Sequence, residues 1–161
     1  KAIMRLAGMI LMSWPGAPTI YYGDEAGLCG WTDPDNRRAY PWGREDQDLI
    51  DFHKEIIRVH KDYQAMKTGS ILFLHGQYQF ISYGRFNEQY KFVIAINSGD
   101  QPVSVALPVW RLGLTEAARM ARLINTSPEG FSLETAMYSV ENGILRLNCP
   151  PKYGVVIKNL T

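Results

Sequence analysis

Little in this sequence could staple the chain covalently or draw it to a charged or lipid partner. Two cysteines occur in 161 residues, Cys29 and Cys149, and their wide separation matches neither a metal site nor a redox motif. Unpaired thiols favour a reducing, cytoplasmic compartment over a secreted disulfide scaffold. The formal net charge is only +1, with no basic block, so the electrostatic footprint of a nucleic-acid binder is missing. The longest apolar stretch, around Met9 to Met12, is too short for a bilayer and is soon broken by Pro15, Gly16 and Pro18. No repeat or low-complexity tract occurs. The expectation is no membrane, no nucleic acid, no metal and no cofactor. With 46% hydrophobic residues, the remainder is an ordinary globular composition.

What is present begins abruptly. Ile3, Leu6, Ala7, Ile10, Leu11 and Trp14 recur at helical spacing from the start, and Met4, Met9 and Met12 make the other side apolar too. A helix greasy most of the way round expects cover on several sides. Such a start, without an initiator Met, reads as a truncation, so the lack of a signal peptide says nothing of a parent protein. Pro15 and Gly16 stop the helix. Residues 19–22 then read as a short strand without polar alternation, as in a parallel sheet buried on both faces. A second helix follows from the 3, 4, 3, 4, 3 spacing of Leu49, Phe52, Ile56, Val59, Tyr63 and Met66, capped by Asp46 or Asp48.

The pattern changes near Thr68-Gly69. Beyond it, residues 71–75, 79–85, 91–97, 103–107, 120–126, 135–140, 144–147 and 153–158 read as strands of period 2. Turn signals at Asn87-Glu88, Ser98-Gly99-Asp100, Glu141-Asn142-Gly143 and Pro150-Pro151 separate them. Seven or eight short strands in that span suggest an antiparallel β-sandwich. Residues 114–122 could also form a short helix.

Several groups invite a chemical reading. Asp24 and Glu25 are adjacent carboxylates, but successive side chains on a strand point to opposite faces. They would not flank one bond at the about 5–5.5 Å or 6.5–9.5 Å that glycoside hydrolysis requires, and a structural role at a strand end is preferred. The loop 29–44 is different. It follows a strand end, where α/β barrels place active sites, and it carries Trp31, Trp42, Asp33, Asp35, Arg37 and Arg38 between Pro34 and Pro41. Flat indoles can stack on sugar rings, and the charged groups suit hydroxyls. The alternative is a solvent loop held by its own salt bridges. His53 and His60 flank the second helix's stripe, read as border residues in preference to ligands. Asn125-Thr126-Ser127 and Asn159-Leu160-Thr161 fit the N-glycosylation pattern, which chance often produces. Tyr78, Phe80, Tyr83, Phe86, Tyr90 and Phe92 could form a starch-binding stripe, with a sandwich core the preferred reading.

The runs "GAPTIYYGDEAG" (16–27) and "DPDNRRAYPW" (33–42) closely resemble the α-amylase superfamily of glycoside hydrolases, most of all its neopullulanase, cyclomaltodextrinase and maltogenic amylase branch. The late "ENGILRLNCPPKYGVVI" (141–157) resembles the family's C-terminal domain. The resemblance implies an α+β fragment: residues 1–68 as the last β/α unit of a (β/α)8 barrel, and residues 69–161 as an antiparallel β-sandwich C-terminal domain. Gly16, Pro18, Tyr22, Gly23 and Glu25 match the strand-8 pattern as architecture. Asp33 and Arg37 match positions that contact a glucose on the non-reducing side of the scissile bond. Asn36, where many relatives carry Cys, and Ala39, where many carry Pro, leave substrate preference open.

In the family the nucleophilic Asp, the acid Glu and the stabilising Asp follow barrel strands four, five and seven, ahead of the stretch that matches Lys1. The resemblance therefore implies a parent enzyme cleaving or transferring α-glucosidic bonds of maltooligosaccharides or related α-glucans with retention, and a fragment that is inactive alone. It also implies self-association through an uncovered barrel surface. The alternative is a non-catalytic carbohydrate-binding or structural β-sandwich module.

Overall fold

The apolar spacing from Ile3 onward produces helix α1, Ala2–Ser13, in a computed structural model that describes residues 1–116 and 118–160. Helix α2, Gln47–Asp62, packs beside it, and the Asp46 carboxylate caps it by accepting the Leu49 N–H at 3.3 Å. The stripe from Leu49 to Met66 does not form one helix. The chain turns extended at Tyr63 and resumes as α3, Gln64–Thr68. The break sets the Tyr63 ring edge-on to Tyr90 and Phe92, each 5.1 Å away, and returns Ala65 and Met66 to the same core. Apolar spacing continues across the break because both segments serve one core, so periodicity cannot reveal it.

Nine strands follow: β1 (Ser70–Gln77), β2 (Phe80–Phe86), β3 (Lys91–Asn97), β4 (Val103–Pro108), β5 (Arg119–Thr126), β6 (Phe131–Ser132), β7 (Met137–Ser139), β8 (Ile144–Cys149) and β9 (Tyr153–Asn159). Seven join one antiparallel sheet in the order β1-β2-β3-β9-β5-β6, with β7 also on β5, while β4 and β8 form a separate two-stranded ribbon. The two sheets expected of a sandwich are thus very unequal. Helices cover one face of the large sheet and the ribbon covers the other.

Strand β3 shows why. Phe92, Ile94 and Ile96 join Leu6, Met9, Phe52 and Ile56 in the helix-side core. Val93 and Ala95 join Leu107, Leu145 and Leu147 in the ribbon-side core. Alternate residues serve alternate layers, so a strand buried on both faces carries an unbroken apolar run. The aromatic alternation resolves the same way. Phe80 lies in the ribbon-side core, whereas Tyr83 and Phe92 lie in the helix-side core and Tyr78 projects to solvent. These rings are core residues and not a binding stripe.

Two buried arginines tie the layers. Arg5 of α1 donates to the Thr126 hydroxyl at 2.7 Å, to the Ser127 carbonyl at 2.7 Å and to the Asp48 carboxylate. Arg85 of β2 donates to the carbonyls of Ser13 (2.7 Å) and Gly69 (2.9 Å). The α1 end is further closed by His60, whose Nδ1 lies 2.7 Å from the Met12 carbonyl. His53 Nδ1 meets the Leu49 carbonyl at 2.8 Å. Both rings are taken up by helix carbonyls that would otherwise need other partners. We expect His60→Ala to cost about 1–2 kcal/mol in urea melts, and an unchanged midpoint would contradict the contact.

Four local expectations are corrected. Residues 19–22 are extended and largely exposed but pair with no strand, because a parallel strand needs a neighbour's ladder and this chain offers none there. Asp24 and Glu25 sit in a 3₁₀ turn, Asp24–Ala26, not at a strand end. Helix does not form over 114–122: β5 begins at Arg119, paired with β7 and β9, and Ala117 lies outside the described residues. The short β6 was not anticipated. Asn125 and Thr126 belong to β5, with Thr126 bonded to Arg5, which gives that triplet a structural role. Thr161 of the other triplet lies outside the described residues.

Burial pushes the Tyr83 phenol up to about 12, from 10.0, and the Cys149 thiol up to about 11, from 9.0. Raised folded values mean that stability is fully present below the unfolded values and is lost as pH rises through the folded ones. We expect alkaline destabilisation between about pH 9 and 12, reduced in Tyr83→Phe; an identical alkaline limb in that variant would contradict it.

Candidate functional site

The loop is built outward from a tight turn. Gly23 takes φ +92, which only glycine adopts freely, and a Cβ there would also strike Leu28 at 2.7 Å. The Glu25 carboxylate accepts the Gly23 N–H at 3.0 Å, and the Leu28 N–H closes on the Gly23 carbonyl at 2.9 Å. The Asp46 N–H donates to the Ala26 carbonyl at 3.0 Å, fastening the turn to the start of α2. Glu25 is thus engaged by the backbone. Its charge, with that of Glu45, reinforces desolvation in pushing the Tyr40 phenol up.

Beyond the turn the chain folds on itself through Asp35. One carboxylate oxygen accepts the Trp31 N–H at 2.9 Å, and the other accepts Nε and Nη2 of Arg38 at 2.9 and 2.6 Å. The Arg38 guanidinium holds the Asp35 carboxyl below the usual carboxylate range. Tyr22 donates its hydroxyl to the Arg38 carbonyl at 2.9 Å, linking the extended segment to the loop. A 3₁₀ turn, Asp35–Arg37, brings Asp33 and Arg37 together as an ion pair of 2.8 Å. Gly30 passes so close that a Cβ would meet Asn36 Cα at 2.7 Å and the Asp35 carbonyl at 3.0 Å.

The structure therefore brings the two predicted binding residues into direct contact, on the surface. The indoles beside them are free: Trp31 is 82% and Trp42 81% exposed, and Trp42 leans on Tyr40 with ring centres 4.5 Å apart. A hollow of about 350 Å³ opens between the loop and the extended segment, lined by Tyr21, Tyr22, Asp24, Leu28 and Asn36. A larger apolar hollow of about 600 Å³ adjoins α1, lined by Met4, Leu11, Trp14, Ile20 and His53. Among the described residues no cluster of three or more His, Cys, Asp or Glu could hold a metal ion, and no helix is long and apolar enough to cross a membrane.

Sequence reading missed the Asp35–Arg38 clamp and the Tyr22 tether. The i, i+3 spacing of Asp35 and Arg38 carried a signal for the first, whereas nothing in the sequence marked the second. The arrangement offers paired charges and flat aromatic surfaces suited to hydroxyl-rich ligands. The carboxylates placed here are bound to arginine, backbone or both.

The chain is similar to an amylopullulanase of Thermoanaerobacterium thermosulfurigenes, 33% identical over 165 residues, covering 96% of this chain and 8% of that protein. It is 35% identical over 114 residues to neopullulanase 2 of Thermoactinomyces vulgaris, covering 67% of this chain and 20% of that protein. The solved structure of the debranching enzyme of Nostoc punctiforme aligns with a TM-score of 0.78 at 29% identity, over 97% of this chain and 31% of the other. No protein-family model matches the chain. It thus spans less than a third of the length of each of these three proteins. Its homologues are amylopullulanase, cyclomaltodextrinase, neopullulanase and maltogenic amylase, and the chain is part of an α-amylase-superfamily protein.

Proposed function

We propose that this chain is the C-terminal portion of a glycosidase acting on α-glucosidic bonds of maltooligosaccharides or related α-glucans by a retaining mechanism. Residues 1–68 are the end of the catalytic barrel and residues 69–161 the C-terminal β-domain. The barrel reading draws support from residues 19–22, an extended segment whose backbone groups would be satisfied by a neighbouring strand. The two parts are joined by a shared core, since α1 and α2 pack on the large sheet through Leu6, Met9, Phe52 and Phe92.

The observation that carries the reading is the loop 29–44. It is fastened internally by Asp35 and displays Asp33, Arg37, Trp31 and Trp42 to solvent. Asp33 and Arg37 contact a glucose unit through its hydroxyls, forming one wall of the sugar site. The acid, nucleophile and stabilising carboxylates belong to another part of the enzyme, so this chain binds without hydrolysing. Purified chain incubated with maltotriose is expected to release no reducing ends, and measurable turnover would overturn the reading.

Asp33→Ala and Arg37→Ala serve as the binding test. The ion pair is exposed, so each change should move stability by no more than about 0.5 kcal/mol. Each should weaken maltotriose binding in calorimetry by roughly tenfold. Unaltered affinity would remove both residues from the site. The apolar hollow beside α1 also supports self-association of the isolated chain, and a monodisperse monomer in sedimentation at high concentration would contradict it.

A further inference from the structure

The ribbon side of the sheet, away from α1 and α2, carries a second aromatic site. Trp110 lies in a 3₁₀ turn, Val109–Leu112, anchored by Val109 and Leu112 in the ribbon-side core. Its backbone is fixed on both sides: the Trp110 N–H donates to the Gly143 carbonyl at 2.9 Å, and its carbonyl accepts the Gly113 N–H at 2.9 Å. The indole nonetheless stays 58% exposed. It packs over Gly143, where a Cβ would come within 2.6 Å of Trp110 Cβ and 3.3 Å of its Cγ. Asn142 (φ +51) and Gly143 (φ +74) form the left-handed turn that enters β8, closed by the reciprocal Glu141–Ile144 hydrogen bonds. Together Trp110, Thr115, Glu116, Asn142 and Gly143 line an open hollow of about 430 Å³.

We propose that this hollow is an auxiliary binding site for an α-glucan chain, separate from the loop 29–44. The inference rests on the α-glucan reading above for the identity of the sugar. The site's own chemistry supplies the rest. A rigid, solvent-facing indole offers a flat apolar surface for the C–H face of a pyranose ring without a large ordering cost. The Thr115 hydroxyl, the Asn142 amide and the Glu116 carboxylate surround it with donors and acceptors for hydroxyls. The polar groups stand at the rim and the aromatic forms the floor, the usual division of labour in a small-ligand site. A site on the ribbon side can hold a long glucan without occupying the loop on the helix side.

The test is calorimetric titration of the 161-residue chain with maltoheptaose, in the wild type and in three variants. Trp110→Ala is expected to weaken binding roughly tenfold or more. Trp110→Phe, which keeps an aromatic surface and the packing on Gly143, should lose far less. Asn142→Gly preserves the left-handed turn while removing the amide, so weaker binding by this variant reports the hollow and not a misfolded chain. Affinity unchanged in Trp110→Ala, or no maltoheptaose binding by the wild type, overturns the proposal. Loss confined to Asp33→Ala and Arg37→Ala overturns it too, while leaving the function reading intact. Loss confined to the Trp110 and Asn142 variants supports the auxiliary site and contradicts the assignment of the loop.

Discussion

Arg5→Ala is expected to cost about 3–5 kcal/mol of stability, the largest effect of any single substitution considered. Arg5 is fully enclosed, and its guanidinium meets four acceptors: Thr126 Oγ1, the Asp48 carboxylate and the carbonyls of Ser127 and Pro128. Those acceptors come from α2, from the end of β5 and from the turn beyond it. Removing the side chain leaves them without their shared donor and opens a void beneath α1. Thr126 keeps one bond, to the Gly130 carbonyl at 3.2 Å, and Asp48 is partly open to water, which places the expected cost below that of a fully enclosed pair. Arg5→Lys should recover only part of the loss, since one ammonium cannot reproduce a planar fork reaching several directions. In thermal melts Arg5→Ala should lower Tm by on the order of 10 °C. A shift below about 1 kcal/mol in urea unfolding would show that the helices are not held by this network.

Gly69→Ala should cost about 3 kcal/mol or more, although a glycine-to-alanine change is ordinarily mild. The backbone angles of Gly69 are ordinary for any residue, φ −67 and ψ 159, so conformational freedom is not the reason. Space is. A Cβ would lie 2.3 Å from the Ala65 carbonyl oxygen, 2.7 Å from that of Phe86 and 2.8 Å from Ala65 Cα. All three are backbone atoms of packed elements and cannot swing aside as a side-chain tip would. The Gly69 carbonyl also accepts from Arg85, so displacement would disturb a second buried contact. The junction between α3 and β1 is accordingly a close-packed seam and not a loose linker. Unchanged unfolding midpoints for Gly69→Ala would refute that description.

These two positions show what sequence could and could not reveal. Glycine at the change from period 3.6 to period 2 marked a boundary, yet its spatial reason appears only when Ala65 and Phe86 are seen to converge on it. Arg5 stood in an apolar helix with no visible partner, because its acceptors lie 43 and more than 120 residues away. Strand β3 was legible to its end residues, since Lys91 and Asn97 bracket an unbroken apolar run that two cores demand. Residues 19–22 carried the same kind of run and formed no strand, for a strand is a property of two segments and composition speaks for one.

The site divided similarly. Asp33 and Arg37, four apart, were identified through resemblance to a family, and the structure joins them in an ion pair. The Asp35 clamp and the exposure of both indoles depend on how the loop crosses itself at Gly30, which spacing does not encode. Trp110 offered no sequence signal either. Its exposure follows from a core that claims Val109 and Leu112 and leaves the residue between them outside.

The central claim is that this chain is one portion of a longer α-glucan-active glycosidase whose reacting carboxylates lie outside it. The intact mass of the natural gene product carrying this sequence tests it most directly. The account predicts a polypeptide several times heavier than the 18.3 kDa of these 161 residues. A natural product of about 18.3 kDa would contradict it.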